Sequence, residues 1–317
     1  MLVAGGAVVR VDDAARADGI IVAQQNSSYD TAKAVPTVVL RNDDFGRVER
    51  LLADSEDVRF DFEIGNHTYP DGKTSYNTIA EIPGTDKASE VVMLGGHLDS
   101  WLGGTGATDN AIGCSIMMEA VRLIQNSGVK PRRTIRVGEE EGLLGSIAYV
   151  KSHFGSAEDP KPEFSQLDAY FNVDSGTGRL RGASVFGPPE AAAFLRPVFA
   201  QFGDWGFAGV IANTTRTIAS SDHRSFNNAG LPGIALLQDP IEYATMTHHT
   251  SLDTYERIVP DDAQKAAAVV AAGVLHLANR DEMVPAFRRT RCRHRRKFRS
   301  FEWASSRAHP RLCLISA

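Results

Sequence analysis

Apolar and polar positions follow two rhythms along this chain, and their order predicts its architecture. β-Branched apolar runs bounded by polar turns predict short strands at 20–23 and 37–40. Val48, Leu51 and Leu52 make a helical stripe over 42–53, with Asn42 or Asp43 placed to cap it. Alternation over 58–64 predicts a half-buried strand, and Asp71-Gly72 marks a turn. From Ser75 the pattern becomes regular, with strands predicted at 77–82, 91–94, 134–137, 167–173 and 231–237. Helices are predicted at 110–124, 143–154, 189–202 and 260–278, the last with Pro260 in its first turn. Strands separated by helices imply an α/β fold: a mostly parallel central sheet with helices on both faces. Ligands of such sheets bind beyond the carboxyl ends of the strands.

Composition changes this picture at one end only. The 317 residues carry a net charge of -5, but residues 286–317 hold ten basic residues against Glu302, a net +9. The first 285 residues carry 24 basic and 38 acidic residues, a net -14. The body is therefore acidic and globular, with a hydrophobic fraction of 43% that excludes disorder. Three cysteines without a CxxC argue against a disulfide framework or a thiolate zinc site. Cys114 falls on the apolar side of its helix, as a core residue does. No apolar run approaches the length of a spanning helix, and the first residues make a poor signal peptide.

The chemistry-bearing residues gather at the predicted strand ends. They are GGHLDS at 95–100, GATDN at 106–110, GEEEG at 138–142, NVDSG at 172–176 and THHTSLD at 247–253. Each has a plain structural reading: a hydrogen-bonded histidine, an N-cap at Asp109, a solvated helix start at Glu139 to Glu141, a turn residue at Asp174. Those readings do not explain why all five occur at successive strand ends. Several acids in one crevice repel each other and need neutralising. Imidazole and carboxylate without thiolate suit zinc or a similar divalent ion. Five ligands with one shared carboxylate would make a two-metal site, able to activate a water and polarise a carbonyl.

These motifs, in this order, closely resemble the M28 family of dinuclear zinc exopeptidases, within it the carboxypeptidase Q-like branch with a PA-domain insertion. The resemblance covers roughly residues 15–285. It implies two Zn²⁺ ions per chain, one on His97 and Asp174, the other on Glu140 and His249, with Asp109 bridging. It implies Glu139 as general base and Asp99 as the group that holds the His97 ring. Asp222 matches a position that buttresses the site. Of the adjacent pair His248 and His249, the second aligns with the family ligand. The implied reaction is hydrolysis of a peptide bond near a free terminus, by an aminopeptidase or a carboxypeptidase/dipeptidase. A catalytically impaired peptide-binding homologue and a glutaminyl cyclase-like acyl-transfer enzyme are the alternatives.

The resemblance divides the chain into a partial PA-like segment at 1–65, a zinc peptidase domain at 66–285 and a basic tail at 286–317. Relatives carry about four more residues, often an ALW-type run, between the strand and GEE; here 134–137 runs straight into Gly138. That would shorten the strand by about 13 Å at ~3.3 Å per residue, unless the connection re-registers. A nucleic-acid or anionic-membrane arm is one reading of the tail. Its abrupt start where the resemblance ends favours a translated wrong frame or a solvated, disordered end instead. The expected partner is a peptide or dipeptide substrate, with no nucleic acid and no membrane span; a homodimer is left open. By resemblance alone, the location is secreted or periplasmic.

Overall fold

A computed structural model describes residues 2–22, 34–67, 74–101, 103–140, 142–216, 221–287 and 312–315, without the side chains of Glu140 and of 312–315. The first elements are β1 (Ala7–Asp13), β2 (Thr37–Leu40) and α1 (Asn42–Ala53). Strand β3 (Thr78–Ile82) then opens the larger unit, followed by β4 (Lys87–His97), α2 (Ile112–Asn126), β5 (Arg133–Glu140) and α3 (Leu144–His153). Next come β6 (Leu167–Val173), β7 (Leu180–Phe186), α4 (Ala191–Phe199) and β8 (Gly209–Asn213). The remainder is α5 (His223–Ala229), β9 (Gly233–Gln238), α6 (Pro260–Asn279) and β10 (Leu312–Ile315).

Seven strands form one sheet in the order β3-β5-β4-β6-β9-β7-β8. The β5-β4, β4-β6, β6-β9 and β7-β8 pairs are parallel, while β3-β5 and β9-β7 are antiparallel. Both faces are covered. Val92 and Leu94 of β4 join the core beneath α2, α4 and α6, whereas Val91 and Met93 join the core beneath α3 and α5. That alternation is the period of two expected of a strand buried on both sides. On α2, Ile112, Ile116, Met117 and Ile124 are buried along one stripe, each stabilising the fold by about 1.5–3 kcal/mol relative to exposure.

The small β10-β1-β2 sheet, with α1 packed on it through Phe45, stands at the front. Its third strand, Leu312–Ile315, pairs antiparallel with β1; the rest of the basic tail, 288–311 and 316–317, lies outside the described residues. Three expectations need correction. Residues 58–64 form no strand, because among the described residues no neighbouring strand pairs with them. Of the strand expected at 20–23, only Val22 makes a bridge, to Thr250, and Ala23 lies outside the described residues. Neither Asn42 nor Asp43 caps α1: the flanking residue is Arg41, no side chain caps it, and the Asn42 amide instead reaches Asp13 at 2.9 Å.

Register explains how the short approach to Gly138 is accommodated. From Val91 to His97, β4 pairs residue by residue with β5 from Thr134 to Glu140. One step earlier Lys87 pairs with Arg133, so Ala88, Ser89 and Glu90 face no β5 residue. β6 also shifts register at this level, where Asp168 is skipped between Leu167 and Ala169. The irregularity therefore lies at the amino ends of the strands, and the carboxyl ends stay aligned. At those ends Gly95 is obligatory, since a Cβ there would collide with the Gly138 carbonyl oxygen.

Arg133 fills the irregular end. It is fully buried, its Nε lies 2.6 Å from Glu90, and its guanidinium donates to the carbonyls of Leu277 and Arg280 at 2.7 and 2.8 Å. Asp168, also buried, lies 3.5 Å away and accepts the Val284 N–H at 2.6 Å. Burial pushes the Asp168 carboxyl up to about 6 despite that neighbour. Replacing Arg133 by Met should leave Glu90 and the carbonyls of Leu277, Arg280 and Asp281 without their donor and Asp168 without its neighbouring charge. We expect urea unfolding to show a loss of about 3–5 kcal/mol, the usual cost of breaking a buried ion pair from one side. A loss within experimental error of zero would exclude Arg133 as the fastener of this end.

Candidate metal centre

Four strands end in one crevice and deliver chemical groups to it. His97 is the last residue of β4, Asp174 follows β6, Glu139 and Glu140 close β5, and the 247–253 turn lies beyond β9. Asp109 arrives separately, on the turn before α2. It caps no helix, because α2 begins at Ile112 without any side-chain cap and Asp109 has a non-helical backbone. The Asp109–Asn110 peptide is cis.

Asp253 holds that turn in place. Its buried carboxylate accepts the backbone N–H of Thr108 at 2.6 Å and of Asp109 at 3.1 Å. Its carbonyl accepts from Thr105 N and Oγ1 at 2.8 and 3.0 Å. The side chain of Asn110 donates to the Val173 carbonyl at 2.9 Å, tying the turn to the end of β6. Asp253 was visible in sequence only as the last letter of a motif; its fixing role depends on two distant loops meeting.

The central feature is the placement of Asp109 between two imidazoles. Its Oδ1 lies 3.4 Å from His97 Nε2, and its Oδ2 lies 3.4 Å from His249 Nε2. Asp174 Oδ2 lies 3.6 Å from the same His97 nitrogen. These separations are longer than good hydrogen bonds. They match ligands that share an ion: donors about 2.0–2.2 Å from a tetrahedral zinc stand roughly 3.3–3.6 Å apart. Asp109 is 3% exposed, and its Oδ2 has no hydrogen-bond partner. The donor set thus fits divalent ions of the zinc type.

Neighbouring groups orient these residues. Asp99 approaches His97 Nδ1 at 3.1 Å and accepts the Gly142 N–H at 2.6 Å. The His249 ring lies between Trp101 and His248, with centroid separations of 4.0 and 3.6 Å. Tyr243 Oη donates to Asp174 at 3.4 Å. Asp222 is wholly buried and accepts the Leu143 N–H at 2.9 Å and the Ser146 hydroxyl at 2.7 Å, anchoring the chain just after Glu140. Tyr243 and Trp101 lacked any sequence signal, because nothing local marks a residue that touches a site from another loop.

Electrostatics follow from burial and mutual proximity. Burial lowers the tendency of His97 to protonate, but Asp109, Asp174 and Asp99 outweigh it and hold the imidazole well above its ordinary value. Burial pushes Asp109 up, helped by Asp174. Burial also opposes ionisation of Asp174, but His97 prevails and lowers it. His249 is pushed down to about 3, first by burial and then by His248. Glu139 is raised to about 7, chiefly by burial, and neither carboxylate oxygen has a hydrogen-bond partner. Its backbone pairs with Gly96, on the side of the sheet where Cys114 lies. Glu140 pairs through its backbone with His97, and its side chain lies outside the described residues. Cys114 is buried, its thiol donates to the His97 carbonyl at 3.2 Å, and burial raises its pKa. That makes it a packing residue.

The sequence and the fold have counterparts. Mouse carboxypeptidase Q is 32% identical over 260 residues, which cover 81% of this chain and 53% of the mouse protein. The chain thus spans about half the length of the curated relatives it matches. The structure of a peptidase M28 precursor from Shewanella amazonensis matches with a TM-score of 0.68 at 27% identity, covering 88% of this chain and 62% of that one. A zinc aminopeptidase from Bacillus subtilis shares the fold, with a TM-score of 0.50 at 23% identity over 67% of this chain and 53% of its own. The pattern of peptidase family M28 matches residues 77–274, the stretch that carries every strand of the large sheet and all the candidate ligands, and on that match the chain belongs to family M28.

Proposed function

We propose that the protein is a zinc-dependent exopeptidase that hydrolyses a peptide bond near a free terminus. The observation that carries this reading is Asp109, which offers one oxygen toward His97 and the other toward His249, each at 3.4 Å. His97 and Asp174 would hold one ion, Glu140 and His249 the other, with Asp109 shared. Two bound zinc ions supply Lewis acidity that polarises a carbonyl and makes water more acidic. Asp99 keeps the His97 ring turned to present Nε2 to the centre. Glu139 acts as the base, and its unpartnered carboxylate and raised pKa suit that task. It takes a proton from the attacking water as the water oxygen bonds to the carbonyl carbon. It then gives the proton to the amine as the carbon–nitrogen bond breaks.

One feature favours recognition of a substrate carboxylate. Arg16 is half-buried, and its charge opposes protonation of both His248 and His249. The Val22–Thr250 bridge brings its segment against the histidine turn. Among the described residues Arg16 forms no ion pair or hydrogen bond, so its guanidinium is available to a carboxylate. This favours carboxypeptidase or dipeptidase action over aminopeptidase action.

Native mass spectrometry of the zinc-loaded chain should show two ions; one or none contradicts the shared-carboxylate reading. Glu139→Gln should retain both ions and lower kcat on dipeptides by about 10²–10⁴-fold, the usual worth of a positioned base. Unchanged turnover rules out Glu139 as the base. Retained peptide binding with no hydrolysis by the wild type would support the non-catalytic alternative. Arg16→Ala should raise KM for free dipeptides by roughly tenfold or more and leave their carboxy-amidated forms unaffected, since a charged hydrogen bond is worth about 1.5–3 kcal/mol. Equal effects on both substrates would remove Arg16 from carboxylate recognition.

A further inference from the structure

We propose that His248 is an additional metal ligand, joining Asp109 and His249 on the ion that those two residues would hold. The inference rests on the two-ion reading above and extends it, since that reading uses only the second histidine of the pair. The donor atoms of Asp109, His248 and His249 lie within 4.8 Å of one another. The two rings are stacked, with centroids 3.6 Å apart and planes inclined by 29°.

That stacking requires a special backbone. Adjacent side chains of an extended chain point to opposite sides. His249 has a φ of +61°, in the left-handed region that non-glycine residues enter at a cost. The sharp turn brings both imidazoles to the same side of the chain. His248 is held from behind as well: its N–H donates to the Tyr243 carbonyl at 2.9 Å, and its ring meets the Tyr243 ring at a centroid distance of 4.8 Å.

The other half of the argument is Asp109. It is 3% exposed, and its Oδ2, the oxygen on the His249 side, has no hydrogen-bond donor. A buried carboxylate oxygen without a partner is costly unless a cation meets it. On this side of Asp109 two imidazoles are at hand, whereas on the other side His97 and Asp174 serve. The second ion would then have two neutral nitrogen donors besides its carboxylates, a set suited to zinc.

Zinc titration of the full chain against a chromogenic chelator, with wild type beside His248→Phe, tests this. The phenylalanine keeps a flat ring between Tyr243 and His249 and removes both nitrogens. We expect one of the two zinc affinities to fall by about tenfold or more while the other is unchanged, at least the cost of losing an outer partner of a ligand. X-ray absorption of the zinc-loaded wild type gives a measurement that needs no variant. It should count three imidazoles over the two ions, from His97, His248 and His249. Unaltered affinities in His248→Phe, or a count of two imidazoles, would overturn the proposal and leave the two-ion centre standing. A wild type that takes up no zinc would overturn the centre itself.

Discussion

Two carboxylates that are buried side by side set the terms for the rest of this molecule. Asp109 and Asp174 both face His97 Nε2, at 3.4 and 3.6 Å, in a crevice with little access to water. Like charges so close cannot both ionise without positive charge between them. Much of the surrounding structure can be understood as holding them there in spite of that. Asp253 grips the turn that carries Asp109, Tyr243 reaches Asp174, and Asp222 anchors the chain after Glu140. Each of these contacts joins segments far apart in sequence.

The sheet meets this demand by dividing order and disorder of register between its two ends. Near the amino ends of β4, β5 and β6, pairing slips, and the slack is filled by Arg133 with Glu90 and Asp168. Toward the carboxyl ends, pairing is continuous from Val91 to His97. A short strand can therefore still present Glu139 and Glu140 beside Gly96 and His97. Gly95 permits the close approach of β4 to β5, as the Gly138 carbonyl occupies the space where a side chain would sit. Stability is stored at one end of the sheet and chemistry at the other.

Much of the architecture was legible from periodicity. Helix 42–53, strand 37–40 and strand 167–173 match the observed elements residue for residue, and the long last helix differs by one residue. Burial of both faces enforces the apolar run of 167–173, and burial of one stripe sets the spacing of the last helix, whereas 37–40 is half-buried and 42–53 buries only Phe45, leaving Leu51 and Leu52 exposed. Strands β1, β7 and β8 and helix α5 went unread. β7 carries buried Ala183, Ser184 and Val185 just after Arg181-Gly182, and α5 spans only seven residues, too few for a period to show. Residues 58–64 erred in the opposite direction, since alternation marks a segment that could pair but does not supply a partner.

The sequence alone determined the α/β class, the alternation of the longer strands and helices, and the set of histidines and carboxylates at the strand ends, because spacing and residue type are local properties. Tertiary structure alone decided that Asp109 divides its two oxygens between His97 and His249, that β4 and β5 slip at one end only, and that His248 stacks on His249. It also brought Asp253, Tyr243 and Arg16 to the site. The physical reason is the same throughout. A distance of 3.4 Å between groups more than a hundred residues apart depends on every strand register and loop fixing between them, and no local pattern records that sum.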